Sequence, residues 1–300
     1  MTRVPIAAAV VITLAAALSG CADENGSGGA TATSGPTATA TATGTTTASP
    51  AADPAALADL IERQTSAKPT VRVTVESAAK GGTTSANVRF DGVIRTQPGR
   101  RPAIHLKAKT TEAGETGAAE VIVVNEAFYV RGGGEEFAPG KPWLRMSRAD
   151  LKALDEPALA PLKALLGQVF DQMDRAVRGA SVNANLSLIR EGRFTAPPKT
   201  ETLGGETVTR YEGTTDPAAA GSDDESYQTL AQAGVKEIPW TIWVGDDGLP
   251  RQFRMTLRIP TKKGMVQTVS KAVYSGWGDP VTVEAPPAPT VATLTDLAGG

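Results

Sequence analysis

From Thr70 onward the chain alternates apolar and polar residues with a period of two, and that alternation leaves few folds open to it. Val71, Val73 and Val75 alternate with Arg72, Thr74 and Glu76. Val88, Phe90 and Ile94 share one parity, and Ile104, Leu106 and Ala108 alternate with His105, Lys107 and Lys109. Successive side chains of a strand point to opposite faces, so each stretch is a half-buried strand with one wet face. Gly81-Gly82 and Pro98-Gly99 punctuate the strands and suit tight turns, so neighbouring strands should run antiparallel. Residues 118–124 and 127–131 read as another pair and 142–146 as a short strand. Val121 to Val124 is apolar on both parities, which predicts a cover on both faces of that strand.

The same period dominates the end of the chain. Ile238, Trp240, Ile242 and Val244 share one parity, Asp246-Asp247-Gly248 turns the chain, and Phe253, Met255, Leu257 and Ile259 share one parity on the return. Gly204-Gly205 marks another hairpin between residues 200–203 and 206–211. Residues 265–275 add a strand and 281–284 a last short one, while the Pro-rich residues 286–300 predict a disordered tail.

Helical spacing occurs in three places. Asp53-Pro54 offers an N-cap and a proline at the first helical position, with Leu57, Leu60 and Ile61 on one face. Leu159, Leu162, Leu166, Val169, Met173 and Val177 recur at three and four residues, Leu165 and Phe170 widen the apolar face, and Gly179 ends the stretch. Residues 222–233 form a third, with Asp223, Asp224 and Glu225 favouring its N-terminal dipole. Residues 183–190 fit a short helix or an irregular strand. One-sided strands need a cover, and the broad apolar helix can fill the hollow of a curved sheet.

The chain begins with a weakly positive start at Arg3 and an uncharged run from Val4 to Leu18. Fifteen residues fall short of the roughly 20 that cross a bilayer as a helix, so the run reads as a signal peptide. Leu18-Ser19-Gly20-Cys21 resembles the bacterial lipobox, which implies cleavage before Cys21 and lipid on its thiol. Two or three acyl chains at one residue hold a protein to a membrane without a span. Cys21 is the one cysteine, so no disulfide forms and stability must come from a core. Residues 22–52 hold nine Thr and nine Ala, and only Asp23 and Glu24 are charged. They read as a disordered tether of roughly 30 Å root-mean-square reach.

Several chemistries find no support. The formal net charge of −2 becomes −3 once Arg3 leaves with residues 1–20, which gives no footprint for nucleic acid. His105 is the one histidine, placed on the wet face of a strand, and no second His or Cys completes a zinc site. Asp223-Asp224-Glu225 and Asp246-Asp247-Gly248 lack the alternating spacing of a calcium loop. Trp240 shares parity with Ile238 and Ile242 and belongs in a core; Trp243 faces the other way. No enzymatic activity, cofactor or metal is expected.

Trp243-Val244-Gly245-Asp246-Asp247-Gly248-Leu249-Pro250-Arg251, then Tyr274-Ser275-Gly276-Trp277-Gly278-Asp279-Pro280-Val281 and Pro286-Pro287, together with the lipobox and tether, resemble the mycobacterial LppX/LprG-type lipoproteins. The resemblance covers about residues 53–287. It implies an α+β fold similar to the LolA/LolB carriers, a curved antiparallel half-barrel with helices covering its concave face. It also implies an actinobacterial source and a hydrophobic cavity for lipid acyl chains. Residues placed to line that cavity are Val71, Val73, Leu162, Leu166, Phe170, Met173, Ile242, Phe253, Met255 and Leu257. The expected organisation is a signal peptide (1–20), lipidated Cys21 and tether (21–52), one half-barrel domain (53–285) and a tail (286–300). The expected role is a monomeric, extracytoplasmic lipoprotein on the outer leaflet that binds a lipid or lipoglycan and carries or presents it, with a membrane transporter as a possible partner. The alternative is a structural or signalling lipoprotein that contacts its partner through its surface and has a filled core.

Overall fold

The computed structural model describes residues 51–298, apart from 82–83, 98–99, 113, 135, 154–162, 165–166, 168–169, 171–183, 220–224 and 262–263. Asp53 caps the first helix, α1 (Pro54–Ser66), by accepting from the Ala56 N–H at 2.8 Å, and Pro54 sits at its first position. Six strands follow: β1 (Thr70–Gly81), β2 (Thr84–Gln97), β3 (Arg100–Glu112), β4 (Glu115–Val124), β5 (Ala127–Gly132) and β6 (Trp143–Ser147). Helices α2 (Arg148–Ala153) and α3 (Ala184–Arg190) precede β7 (Arg193–Phe194), β8 (Lys199–Leu203) and β9 (Glu206–Thr215). Helix α4 (Glu225–Gln232) leads to β10 (Ile238–Gly245), β11 (Pro250–Thr261) and β12 (Gly264–Ser275), and the chain ends with β13 (Val291–Ala292) and α5 (Leu294–Ala298).

Every strand joins one sheet, ordered β13-β6-β5-β4-β3-β2-β1-β12-β11-β10-β9-β7, with β8 paired to β9. All pairings are antiparallel except β13 with β6. The register turns the sequence alternation into two faces. Val73 lies opposite Tyr274 on one side and Gly92 on the other; Val75 lies opposite Ala272 and Phe90. Side chains of that parity, from Leu144 and Phe128 at one end to Tyr211 and Trp240 at the other, gather in one buried cluster. Strands that lie so far apart in the sheet can share a core only if the sheet curls around it, which makes it an unclosed half-barrel with an apolar concave face.

Local chemistry fits each hairpin. Asn125 and Glu126 both have positive φ (51° and 59°), the two-residue turn whose twist matches its strands, and Gly204 and Gly205 repeat it between β8 and β9. Gly213 lies opposite Trp240, where an added Cβ would stand 2.2 Å from the indole. The glycine is the space that the ring occupies. Trp240 is buried as its parity requires, and its Nε1–H donates to the Thr215 hydroxyl at 3.0 Å.

The helices cover part of the concave side. Leu57, Ala58 and Ile61 of α1 are completely buried in the same cluster as Leu186, Leu188 and Ile189 of α3. Arg190 ties the two helices together by pairing with Asp59 and with Glu62. The residues that fit either helix or strand therefore fold as helix α3, because Leu186 and Ile189 face inward at helical spacing.

The C-terminal segment differs from the expected disordered tail, and residues 281–284 form no strand. Residues 288–290 make a 3-10 turn, β13 extends the sheet beside β6, and Ala292 and Leu294 are buried. Asp296 accepts from the Thr293 N–H at 2.7 Å and pairs with Lys141 at 3.0 Å. On the convex face, Ala103, Ile122, Ala127, Tyr129 and Trp143 form a second buried cluster with Val283. This explains the strand apolar on both parities: Val121 and Val123 face the concave core while Ile122 faces a cover supplied by the tail. The proline-rich composition concealed this because prolines tolerate a covering segment that needs few backbone donors.

Two outcomes are expected. Ile122→Ala should lower unfolding free energy by about 2–4 kcal/mol, as at an interior position, in denaturant titration; a loss typical of an exposed residue would contradict the covered convex cluster. The Thr293 N–H first, and then the Lys141 ammonium, hold the Asp296 carboxyl down to about 2 against an ordinary 3.8. A lowered folded-state pKa contributes stability above the unfolded value and loses it as pH falls through the folded one. Amide protection in residues 291–298, taken relative to the intrinsic exchange rate at each pH, should therefore fall between about pH 4 and 2 while the strand core stays protected.

Candidate functional site

The concave face is a set of cross-strand rows. One runs Tyr274, Val73, Gly92, Leu106, Val121, Val130, Leu144, and the next Phe253, Ala272, Val75, Phe90, Ala108, Ala119. The side chains of both rows are buried. Gly92 keeps the first row flat, since a Cβ there would meet the His105 carbonyl at 2.1 Å. Toward the β11–β12 hairpin the same face opens. Phe253 is buried, but Met255, Leu257 and Ile259 are only half-buried, as is Val266 opposite Ile259. Between them Ser77 and Ser270 share a 2.8 Å hydrogen bond, and Thr268, opposite Leu257, is a further polar position on this face.

Aromatic side chains close the other end. Phe170 is helical and fully buried, and its ring meets Phe128 edge-on at 4.9 Å. The guanidinium of Arg148 lies 5.0 Å from the Phe170 ring centre and that of Arg101 lies 5.4 Å from Phe128, cation–π contacts at the margin of the core. Burial pushes the Tyr274 phenol up to about 12, against the effect of its hydrogen bond with Asn185. It stays neutral, as an apolar floor requires.

The structure brings together most of the residues singled out in the sequence. Val71, Val73, Phe170, Ile242 and Phe253 belong to one buried cluster, and Met255 and Leu257 pack against it from the open end. Leu162, Leu166, Met173 and Cys21 lie outside the described residues. Leu106, Val121, Val130 and Phe128, which are not among the residues placed in the lining from the sequence, form as much of the floor. Their signal was present in the strand parities; what was missing was the strand order that makes them neighbours.

Beside its apolar cluster the convex face carries charged pairs. Arg89 bridges Glu76 and Asp91, and Thr74 donates to Asp91 at 2.7 Å. His105 meets Glu120 at 2.6 Å, and Arg131 pairs with the same carboxylate. Beside them an open cleft of about 680 Å³ is lined by Lys107, Lys109, Glu120, Arg131 and Glu136 with the Gly132-Gly133-Gly134 segment. The two segments that carried the family resemblance also meet: Trp277 donates to the Pro250 carbonyl at 3.0 Å, and Arg251 joins Asp247 to Glu206. Trp243, on the opposite parity to Trp240, donates to Glu201. Among the described residues no three His, Cys, Asp or Glu side chains gather as metal ligands, and no helix is long and apolar enough to cross a membrane.

No protein-family model and no curated protein matches the chain. Among solved structures it is similar to LprF from Mycobacterium bovis, at 16% identity and a TM-score of 0.43, over 77% of this chain and 96% of that one. A DUF1329 family protein from Desulfovibrio piger is similar at 9% identity and a TM-score of 0.26, over 77% and 95%. A putative outer membrane lipoprotein-sorting protein domain from Vibrio parahaemolyticus follows at 11% and 0.21, over 73% and 90%.

Burial works to raise the Glu120 pKa, but the His105 hydrogen bond and the Arg131 charge outweigh it and hold the carboxyl below its ordinary 4.5. Its contribution is thus present above that value and lost as pH falls through the lower folded-state value. Glu120→Gln should cost about 1–3 kcal/mol at neutral pH, and the difference from the parent should vanish in acid. An equal cost at both ends of a pH series of denaturation curves would contradict this pairing.

Proposed function

We propose that the protein is a membrane-anchored cell-envelope lipoprotein that holds the acyl chains of a lipid or lipoglycan against its concave face and carries or presents them. No bond is made or broken. The observation that supports this most is the continuity of the apolar floor, from buried Phe253 and Phe90 to the half-exposed strip of Met255, Leu257, Ile259 and Val266. An alkyl chain laid on that strip removes apolar surface from water on both partners, worth about 0.8 kcal/mol per buried methylene. Val71, Val73, Ile242 and Phe253 would form the lining with Met255 and Leu257, and Leu162, Leu166, Phe170 and Met173 would come from the covering side. Lipid on Cys21 would fix the chain to the outer leaflet, and residues 22–52 would give the domain roughly 30 Å of reach.

A surface-contact role with a filled core draws support from the fully buried Phe90, Phe128 and Phe170. Extraction and mass spectrometry of the purified protein separates the two readings. The carrier reading expects lipid to co-purify, and Ile259→Glu, at a half-exposed position, to lower its amount severalfold while leaving the unfolding transition in place. Protein that is always empty would sink it. Cys21→Ala is expected to release the chain from the membrane fraction without altering lipid retention; membrane association that survives the change would remove the anchor from the account.

A further inference from the structure

The convex side of β11, β12 and β1 carries charge in a way that the concave reading leaves unexplained. These three strands hold Arg251, Arg254, Arg258, Lys271, Arg72 and Lys80 against one carboxylate, Glu76, in a chain whose overall formal charge is −2. Arg251 is occupied by Glu206 and Asp247, and Glu76 by Arg89. Arg254 and Lys271 lie directly opposite each other in the sheet, with Glu76 on the other side of Lys271. Like charges in that position destabilise a sheet. Two rows further out, Gln267 stands between Arg258 and Lys80, on β11 and β1 respectively. Among the described residues none of Arg254, Arg258, Lys271 and Lys80 has a carboxylate partner.

The same hairpin ends in an exposed apolar side chain. Met265 shares the parity of Gln267 and Lys271 and is 53% exposed, more than either of the other exposed large apolar residues, Val273 and Leu297. An apolar tip behind a row of cations matches a bilayer interface with acidic headgroups, which attract Lys and Arg near the surface. A nucleic acid would need stacking rings, and the outward side chains of these strands, Gln252, Thr256, Val269 and Val273, supply none.

We propose that the convex face of β11–β12–β1 docks on an anionic phospholipid surface, with Met265 entering the interface. This rests on the carrier reading for its purpose: Leu257, Ile259 and Val266 lie on the other face of the same hairpin. With Met265 in the interface the hairpin tip stands at the membrane surface, and Ile259 and Val266, at the open end of the apolar floor, lie one sheet thickness away from it.

The test incorporates the full chain into phosphatidylcholine vesicles and into vesicles that also contain phosphatidylglycerol, and follows oxidation of Met265 by peroxide through peptide mass spectrometry. Met265 sulfoxide should form about tenfold more slowly on the anionic vesicles, with the protection lost at high salt as surface charges are screened. Arg258→Glu combined with Lys271→Glu should abolish the protection; both residues lie on the convex face, and an unchanged thermal transition verifies the fold. Equal oxidation on the two vesicle types would overturn the proposal. So would protection that grows with protein concentration without vesicles, which would assign the face to a second copy of the chain. Lipid content is measured on the same samples: cargo retained without protection overturns docking alone, whereas protection without cargo upholds docking and overturns the carrier reading.

Discussion

The structure depends on burying one face of a very wide sheet. Apolar side chains at every second position of β1, β2, β3, β4, β10 and β11 cannot remain in water, and the remaining positions cannot leave it. Curling brings the apolar parity of distant strands within reach of one another, and α1 and α3 then need to cover only part of the hollow. The curled sheet is both the scaffold and the wall of the candidate site. Its stabilising residues and the residues proposed to line the site are therefore largely the same, and Phe253 and Met255 differ in how far along β11 they stand.

The convex face solves a different problem. Most of it is charged, and its neighbouring carboxylates and guanidiniums neutralise one another, as Glu76, Arg89 and Asp91 do. Where it is apolar, at Ile122, Tyr129 and Trp143, the C-terminal segment lies over it and adds β13 to the β6 edge. That edge would otherwise expose unpaired backbone groups. On β11, β12 and β1 the cations Arg254, Arg258, Lys271 and Lys80 have no carboxylate partner among the described residues.

Strands and hairpins were legible in the sequence because their signals are local. Asp246-Asp247-Gly248 between two alternating runs identifies β10 and β11, and Trp240 was placed in the core by parity alone. The double-sided apolar run at residues 121–124 even predicted that something lies outside β4. What lies there was not legible: Val283 and Val291 reach it from more than 150 residues away, and a proline-rich segment gives no periodic sign that it packs. The candidate site was partly legible for the same reason. Parity identifies Val71, Val73, Ile242 and Phe253 as inward-facing, but the order β1-β12-β11-β10 that joins them is long-range information. The hydrogen bond between His105 and Glu120 depends on the β3–β4 register, which two wet-face residues cannot announce.

The central claim is that the concave face keeps room for hydrocarbon beside a well-packed floor. An experimental density map of the protein purified from its own membranes tests it most directly. The account predicts elongated density running along Met255, Leu257 and Ile259 toward Phe253, belonging to no residue of the chain. Side chains of the chain packed against those four residues, with no space left between sheet and helices, would contradict it.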